Sequence, residues 1–464
     1  MHTTVVKEIQ PRVYEIKNNT GLDWDAAAAG LLSERLGEPP NLRSQRFERL
    51  HQLSKVPTPH RFMESWRRTD PAIISQKRFK LWNPEDEILS DTSTHDSDRS
   101  ESPPVLTSAI LSLCNAQQQS IVVEENAEDS GLVLASQDHT FRTQDTMSEF
   151  NSLIGRDIEE DDTPAFGLMN AVWYHGGYLL AVPKGSQILD PIWIRHRVNT
   201  PGHALMVQNN IKIGSESSLT VVIETESGGE IENYLNEITN IDLEPGAELS
   251  LIVINTGTSN SRYYSHLNVG QSESSNFEIT WVDASEGWNV MRREVNLNGP
   301  YAEAFFRGMR IGSGEGSLEL RTKQNHFAPA TSSDLFYKSA LFDNSSSIFR
   351  GLIRVEPEAA GTNAYQLNRN LLMDEGTKAD AIPNLEILVD DVRCTHGVST
   401  GKVNKDALFY MMSRGLNHSQ AVNMLVSGFL TEAVDGLAEE DLKDYLFAKI
   451  EEGLSKFLGG KSVE

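Results

Sequence analysis

Leu249-Ser-Leu-Ile-Val-Ile-Asn255 decides the fold when it is set beside Leu219-Thr-Val-Val-Ile-Glu-Thr225 and Phe277-Glu-Ile-Thr-Trp-Val-Asp283. Each is a short β-branched or aromatic run, and such runs read as strands. Each follows a turn with glycine, at Gly214, Gly246 and Gly270, and Gly299 continues the series. From about Phe166 this texture persists for some 230 residues with no long helix pattern. A large sandwich would call for hairpin dipeptides such as Asn-Gly, and Asn298-Gly299 stands alone in this region. Strand runs separated by loose turns suit a β-solenoid better, because stacked coils share one continuous core.

Size and charge narrow the function. The chain has 464 residues, enough for two or three domains or for one long repetitive core with appended segments. Lys plus Arg number 41 against 66 Asp plus Glu, a net charge of −25. Such a surface repels nucleic acid and anionic membranes, so neither is expected as a partner. Two cysteines, Cys114 and Cys394, are too few for a disulfide framework and fit a reducing compartment. The opening residues carry no basic-then-apolar signal pattern, and no apolar run approaches the roughly 20 residues that span a bilayer. A soluble cytoplasmic protein is expected.

Three regions follow. Residues 1–165 read as mostly helical, with Leu31, Leu32, Leu36, Phe47, Leu50 and Leu53 at helical spacing. This region holds an acidic, polar insert at 90–104, short strands near Ile121 and Leu132, and a further helix at 140–155. Residues 166–405 form the β core. Residues 406–464 turn helical again. Asn417-His-Ser-Gln420 has the form of a capping box. Leu442, Tyr445, Leu446, Ile450, Leu454, Phe457 and Leu458 then line one stripe. That stripe either packs on the end of the solenoid, closing an exposed sheet edge, or docks a partner.

The chemistry concentrates in Leu385-Glu-Ile-Leu-Val-Asp-Asp391-Val-Arg-Cys394-Thr-His396-Gly397. Thiolate and imidazole both bind soft and borderline transition metals. A lone Cys394-x-His396 supplies too few ligands to close a site, so the rest must come from elsewhere in the fold or from a second chain. The bland alternatives are a buried small hydrophobe for Cys394 and a hydrogen-bonded structural ring for His396. If Asp390 and Asp391 lie on a strand they point to opposite faces, so at most one looks toward a metal. His266 and His326 read as surface or hydrogen-bonded side chains, and Cys114 as core.

Several blocks together resemble the SufB/SufD family, the SufD branch in particular. They are Tyr365-Gln-Leu-Asn368-Arg369-Asn370, Ala381-Ile-Pro383, Asp390-Asp391-Val-Arg-Cys394-Thr-His396-Gly397 and Ala407-Leu-Phe409-Tyr410 with Arg414-Gly415. Val182-Pro183-Lys184-Gly185 and the Pro57–Thr69 segment, with its Glu64-Ser-Trp66-Arg-Arg-Thr69, extend the likeness. The resemblance implies a right-handed parallel β-helix between helical N- and C-terminal segments. It implies a non-catalytic scaffold that pairs with SufB through the last coils near 365–400 and docks the SufC ATPase through its C-terminal region. A homodimer is plausible when the chain is alone. The resemblance also implies iron or a nascent iron–sulfur cluster, shared with SufB, with His396 and Cys394 as metal ligands. An imidazole in place of one thiolate is chemically permitted. SufB-like chains carry a cysteine in the coil that here reads Tyr365–Asn370, and this chain has none there.

Two other functions compete. One is a SufB-like homodimeric scaffold that holds a cluster alone. The other is a carbohydrate-active β-helix enzyme, which needs clustered carboxylates or an Arg with bound calcium on a groove-facing strand, and no such cluster is visible. The glycines at Gly312, Gly314 and Gly316 lack the Gly-Lys-Ser/Thr of a phosphate loop, so nucleotide hydrolysis is expected from a partner and not from this chain.

Overall fold

The computed structural model describes residues 21–83, 103–137, 164–437 and 439–458. The three quoted stretches stack at one register. Leu219 pairs with Leu249 and Leu249 with Phe277, and the pairing runs on to Thr225, Asn255 and Asp283, parallel throughout. Parallel neighbours require a crossover between them. Here each crossover is itself a strand of a second sheet. Successive strands alternate between two ten-stranded sheets, which makes a β-solenoid of about 8 turns from Tyr178–Val182 to Arg393–Lys402. Antiparallel strands Val133–Ser136 and Gln117–Val123 extend the two sheets at the N-terminal end.

The turn from the first sheet to the second explains why glycine does not mark the repeat cleanly. One residue per coil sits there in the left-handed region: Glu216, Gly246, Ser274, Tyr301, Ala330 and Gly361. Each N–H donates to the turn of the next coil. Glu216 donates to the Pro245 carbonyl at 3.0 Å, Ser274 to Pro300 at 2.9 Å and Ala330 to Ala360 at 2.9 Å. The inter-coil ladder therefore continues through the turn and offsets the strain that a side chain meets at positive φ. Gly270, read as a turn, instead lies inside the strand Ser261–Gln271.

Side chains alternate between the inside of the coil and its outer faces. Leu205, Leu235 and Leu320 of the first sheet meet Val221, Leu251, Ile279 and Leu335 of the second in one core. Polar groups share that interior. Glu237 accepts from the Tyr263 hydroxyl at 2.5 Å and from Asn209 Nδ2 at 2.9 Å, and Arg310 pairs with Asp283. The outer faces are apolar where helices cover them, which is why runs such as Leu251-Ile-Val-Ile254 are continuous rather than alternating.

Helices Ala26–Leu36 and Ala165–Trp173, with Trp66, cover the first sheet through Met206, Tyr234, Tyr264 and Val290. Helices His418–Thr431 and Glu440–Leu458 cover the second. Val426, Leu430, Leu446, Ile450 and Leu454 pack there on Val222, Ile252, Val282, Met309 and Ile311. The expected capping box is present: Asn417 accepts from Gln420 N–H at 2.9 Å, and Gln420 Oε1 accepts from Asn417 N–H at 3.0 Å.

The C-terminal helices correct one expectation. They lie along the outer face of the solenoid and do not cap its end, because their apolar stripe matches an apolar column that crosses many coils. The terminal strands Lys378–Ile387 and Arg393–Lys402 remain largely exposed, each at the end of its sheet. Residues 90–102 of the insert and the expected helix at 140–155 lie outside the described residues.

Candidate metal-ligand site on the terminal coil

Cys394 and His396 sit on the last strand, Arg393–Lys402. Their surroundings follow from register. Cys394 pairs with Ala364, His396 with Gln366, Val398 with Asn368 and Thr400 with Asn370. On the neighbouring strand Ala364, Gln366, Asn368 and Asn370 are the buried, inward positions. Asn370 donates to Thr400 Oγ1 at 3.2 Å and accepts from Ser339 Oγ at 2.6 Å, so the inward column runs unbroken into the last coil. Cys394 and His396 therefore occupy interior positions on a coil that nothing covers. His396 is exposed for that reason. Among the described residues its ring has no hydrogen bond or ion pair.

Cys394 is half-buried against the small cluster of Ile353, Val355, Ala359 and Ala364. Burial pushes its thiol up, and a hydrogen bond with the Ala364 backbone partly opposes this. A raised pKa disfavours the thiolate, so a metal must displace the proton to recruit this sulfur. An imidazole such as that of His396 ligates a metal through a ring nitrogen lone pair.

Asp390 and Asp391 are not on a strand. They form the exposed turn before it, where the Asp391 carbonyl accepts from Gly361 N–H at 2.7 Å. Among the described residues no group of three or more His, Cys, Asp or Glu side chains is arranged to hold a metal. Among the described residues this open mouth presents two candidate ligands, Cys394 and His396.

The other sequence candidates have structural partners. His326 is buried between Thr331 Oγ1, 2.7 Å from Nδ1, and Ser333 Oγ, 2.8 Å from Nε2, and burial lowers its pKa to about 4. His266 Nε2 lies 3.7 Å from Glu294. Arg369 turns outward to Glu432 at 3.6 Å. Cys114 is half-buried on Ala109–Cys114, with its thiol pushed up by burial. Sequence reading did not single out the apolar surface at the start of the C-terminal helices. Phe409 is 73 % exposed and Tyr410 58 % on helix Lys405–Ser413, which buries none of its residues, and Met424 is 61 % exposed on His418–Thr431.

The residues 196–429 match the family model described as "SUF system FeS cluster assembly, SufBD core domain". That span takes in half of the chain, including the terminal coil and helix His418–Thr431. The chain belongs to the SufBD family. It is 26% identical to the iron–sulfur cluster assembly protein SufD of Bacillus subtilis over 451 residues, which is 93% of this chain and 98% of that protein. An iron–sulfur cluster assembly SufBD family protein of Mycobacterium leprae is 28% identical over 61% of this chain and 73% of its own length. SufB of Bacillus subtilis is also 26% identical, but over 68% of each chain. Likeness to a SufD thus extends nearly end to end, whereas likeness to this SufB covers about two thirds. The matched span covers most of the parallel solenoid and runs on into the C-terminal helices, and the Cys394/His396 pair lies on the solenoid's last coil.

Proposed function

We propose that this chain is a non-catalytic, cytoplasmic SufD-like scaffold. In this reading it pairs through its terminal coil with a SufB-type chain and carries a SufC-type ATPase on its C-terminal helices. His396 gives one ligand to iron or to a nascent cluster held between the two scaffolds, and Cys394 lines the same mouth. The cluster is cargo, delivered onward and not kept.

One observation carries this reading. A ring that could close a metal site stands at an interior register position of an open coil, short of the ligands needed to finish it. A second chain stacked on the two exposed edge strands would cover the coil and supply the missing ligands. A single imidazole among its ligands makes such a cluster easier to release than four buried thiolates would. The exposed Phe409, Tyr410 and Met424 give the helices an apolar surface for the ATPase subunit.

The test is anaerobic co-expression with the cognate SufB and SufC, wild type against His396→Ala, with iron and sulfide measured per purified complex. An intact complex with sharply reduced iron supports the ligand role. An intact complex with unchanged iron refutes it and leaves the chain a structural platform.

A further inference from the structure

A column of cations runs along the outer face of the first sheet. Arg292 of Trp288–Leu297 pairs in register with Arg321 of Ser317–His326, and Arg321 with Arg350 of Ser346–Val355. Like charges directly opposite on neighbouring strands repel and destabilise the pair. Lys323 stands two residues beyond Arg321 on the same face. These four groups line a cavity of about 110 Å³ together with Ser65, Glu294, Leu352, Asn384 and Arg293, whose guanidinium is held by Ser265 Oγ at 2.9 Å. The Pro57–Thr69 segment borders it. Arg321 donates to the Ser65 carbonyl and lies 4.4 Å over the Trp66 ring, and Arg350 donates to the Glu64 carbonyl at 3.3 Å.

The carboxylates at hand do not cancel this charge. Glu319 is buried; its Oε1 accepts from Arg321 Nε at 2.8 Å and lies 3.0 Å from Arg350 Nε as an ion pair. Glu294 is the one carboxylate lining the cavity, and it is already engaged by His266 at 3.7 Å and Asn325 at 3.2 Å. Arg68 and Asp380 nearby neutralise each other at 3.0 Å, and the exposed Glu64 attracts Arg350 only weakly across solvent. Four cations against two carboxylates leave two positive charges over, on a chain whose net charge is −25. Arg292 shows the strain of this arrangement. Burial first, then Arg321, lowers its pKa to about 9 despite Glu294 and Glu319.

We propose that this cavity binds a compact dianionic oxyanion, either free phosphate or the phosphate group of a small ester. Its charge matches the surplus. Guanidinium forks present paired N–H donors that fit phosphate oxygens, and a lysine adds a point charge. The volume is several times the roughly 10–15 Å³ that one water needs. It is well below the roughly 300–1,000 Å³ of pockets that enclose drug-sized ligands, so only the phosphate is enclosed and any ester remainder projects outward.

The test is calorimetric titration of the full chain, at low ionic strength in phosphate-free buffer, with inorganic phosphate and separately with glycerol phosphate. The variants are Lys323→Gln and Arg350→Gln. Both side chains are partly exposed, and circular dichroism checks that each variant folds. Lys323→Gln is the decisive variant, because Arg321 and Arg350 also hold the Ser65 and Glu64 carbonyls and the buried Glu319. Saturable binding that each variant weakens at least tenfold, about 1.4 kcal/mol, supports the proposal. Tighter binding of glycerol phosphate identifies an ester as the ligand, and equal or weaker binding identifies the free ion. No saturable heat with either probe overturns the proposal, as does unchanged affinity in both folded variants.

Discussion

Replacing Asp283 with leucine removes one member of an ion pair that has no solvent contact on either side. The side chains of Asp283 and Arg310 are both 0% exposed. Among the described residues Arg310 has no second hydrogen-bond partner, since its Nε and Nη2 are buried without an acceptor. Burial pushes the Asp283 carboxyl up, and Arg310 pulls it back without fully offsetting that. The pair as a whole therefore contributes little net stability, because desolvation of the two ions consumes their attraction. Breaking it is a different matter. Asp283→Leu leaves a guanidinium stranded inside the solenoid, at a cost of about 3–5 kcal/mol. The double replacement Asp283→Leu with Arg310→Met removes both charges and should return stability to within about 1 kcal/mol of the parent, or above it. Urea denaturation of the three proteins measures this, and hydrogen exchange across Asn276–Ser285 localises the loss. A single variant as stable as the parent would refute the buried-charge reasoning, and so would a double variant no better than the single.

Three further outcomes follow from particular contacts. His175 is buried with Nε2 2.6 Å from the Trp82 carbonyl and Nδ1 accepting from Met206 N–H at 3.3 Å, and burial lowers its pKa to about 4, as it does for His326. Between pH 6.5 and about 4 the unfolded chain takes up protons that the folded rings refuse. Stability should fall by about 3 kcal/mol per histidine as the pH drops through that window, and His326→Gln should flatten the pH dependence of the urea midpoint. Leu446→Ala opens a cavity between the last helix and the second sheet and should cost about 2–5 kcal/mol, seen as faster hydrogen exchange in Glu440–Leu458 while the central coils stay protected. Asn417→Ala breaks the capping box and should cost about 1 kcal/mol, seen as a lower melting temperature with unchanged circular dichroism at room temperature.

Local chemistry made several features legible in the sequence. Runs such as Leu249–Asn255 bury both faces of a strand, so their composition announced stacked parallel coils. Asn417 and Gln420 act on the first turn of their own helix, so that motif needed no tertiary context. Cys394 and His396 fall two apart on a strand, which puts them on one face whatever surrounds it, and their shortage of co-ligands was countable. Other features depend on which coil lies next to which. The left-handed turn residues Glu216, Ser274, Tyr301 and Ala330 are tolerated because a neighbouring coil accepts their N–H, and nothing in their identity says so. The C-terminal stripe was visible as apolar, but its landing on the flank instead of the end was set by the column from Val222 to Met309, residues far apart in the chain. Arg292, Arg321 and Arg350 look unrelated in sequence and become one cluster only because equal coil lengths bring them into register. Residue type and short spacing fix what each segment can bury or bind, while the stacking of coils decides which distant side chains share a surface, and which end of the solenoid stays open.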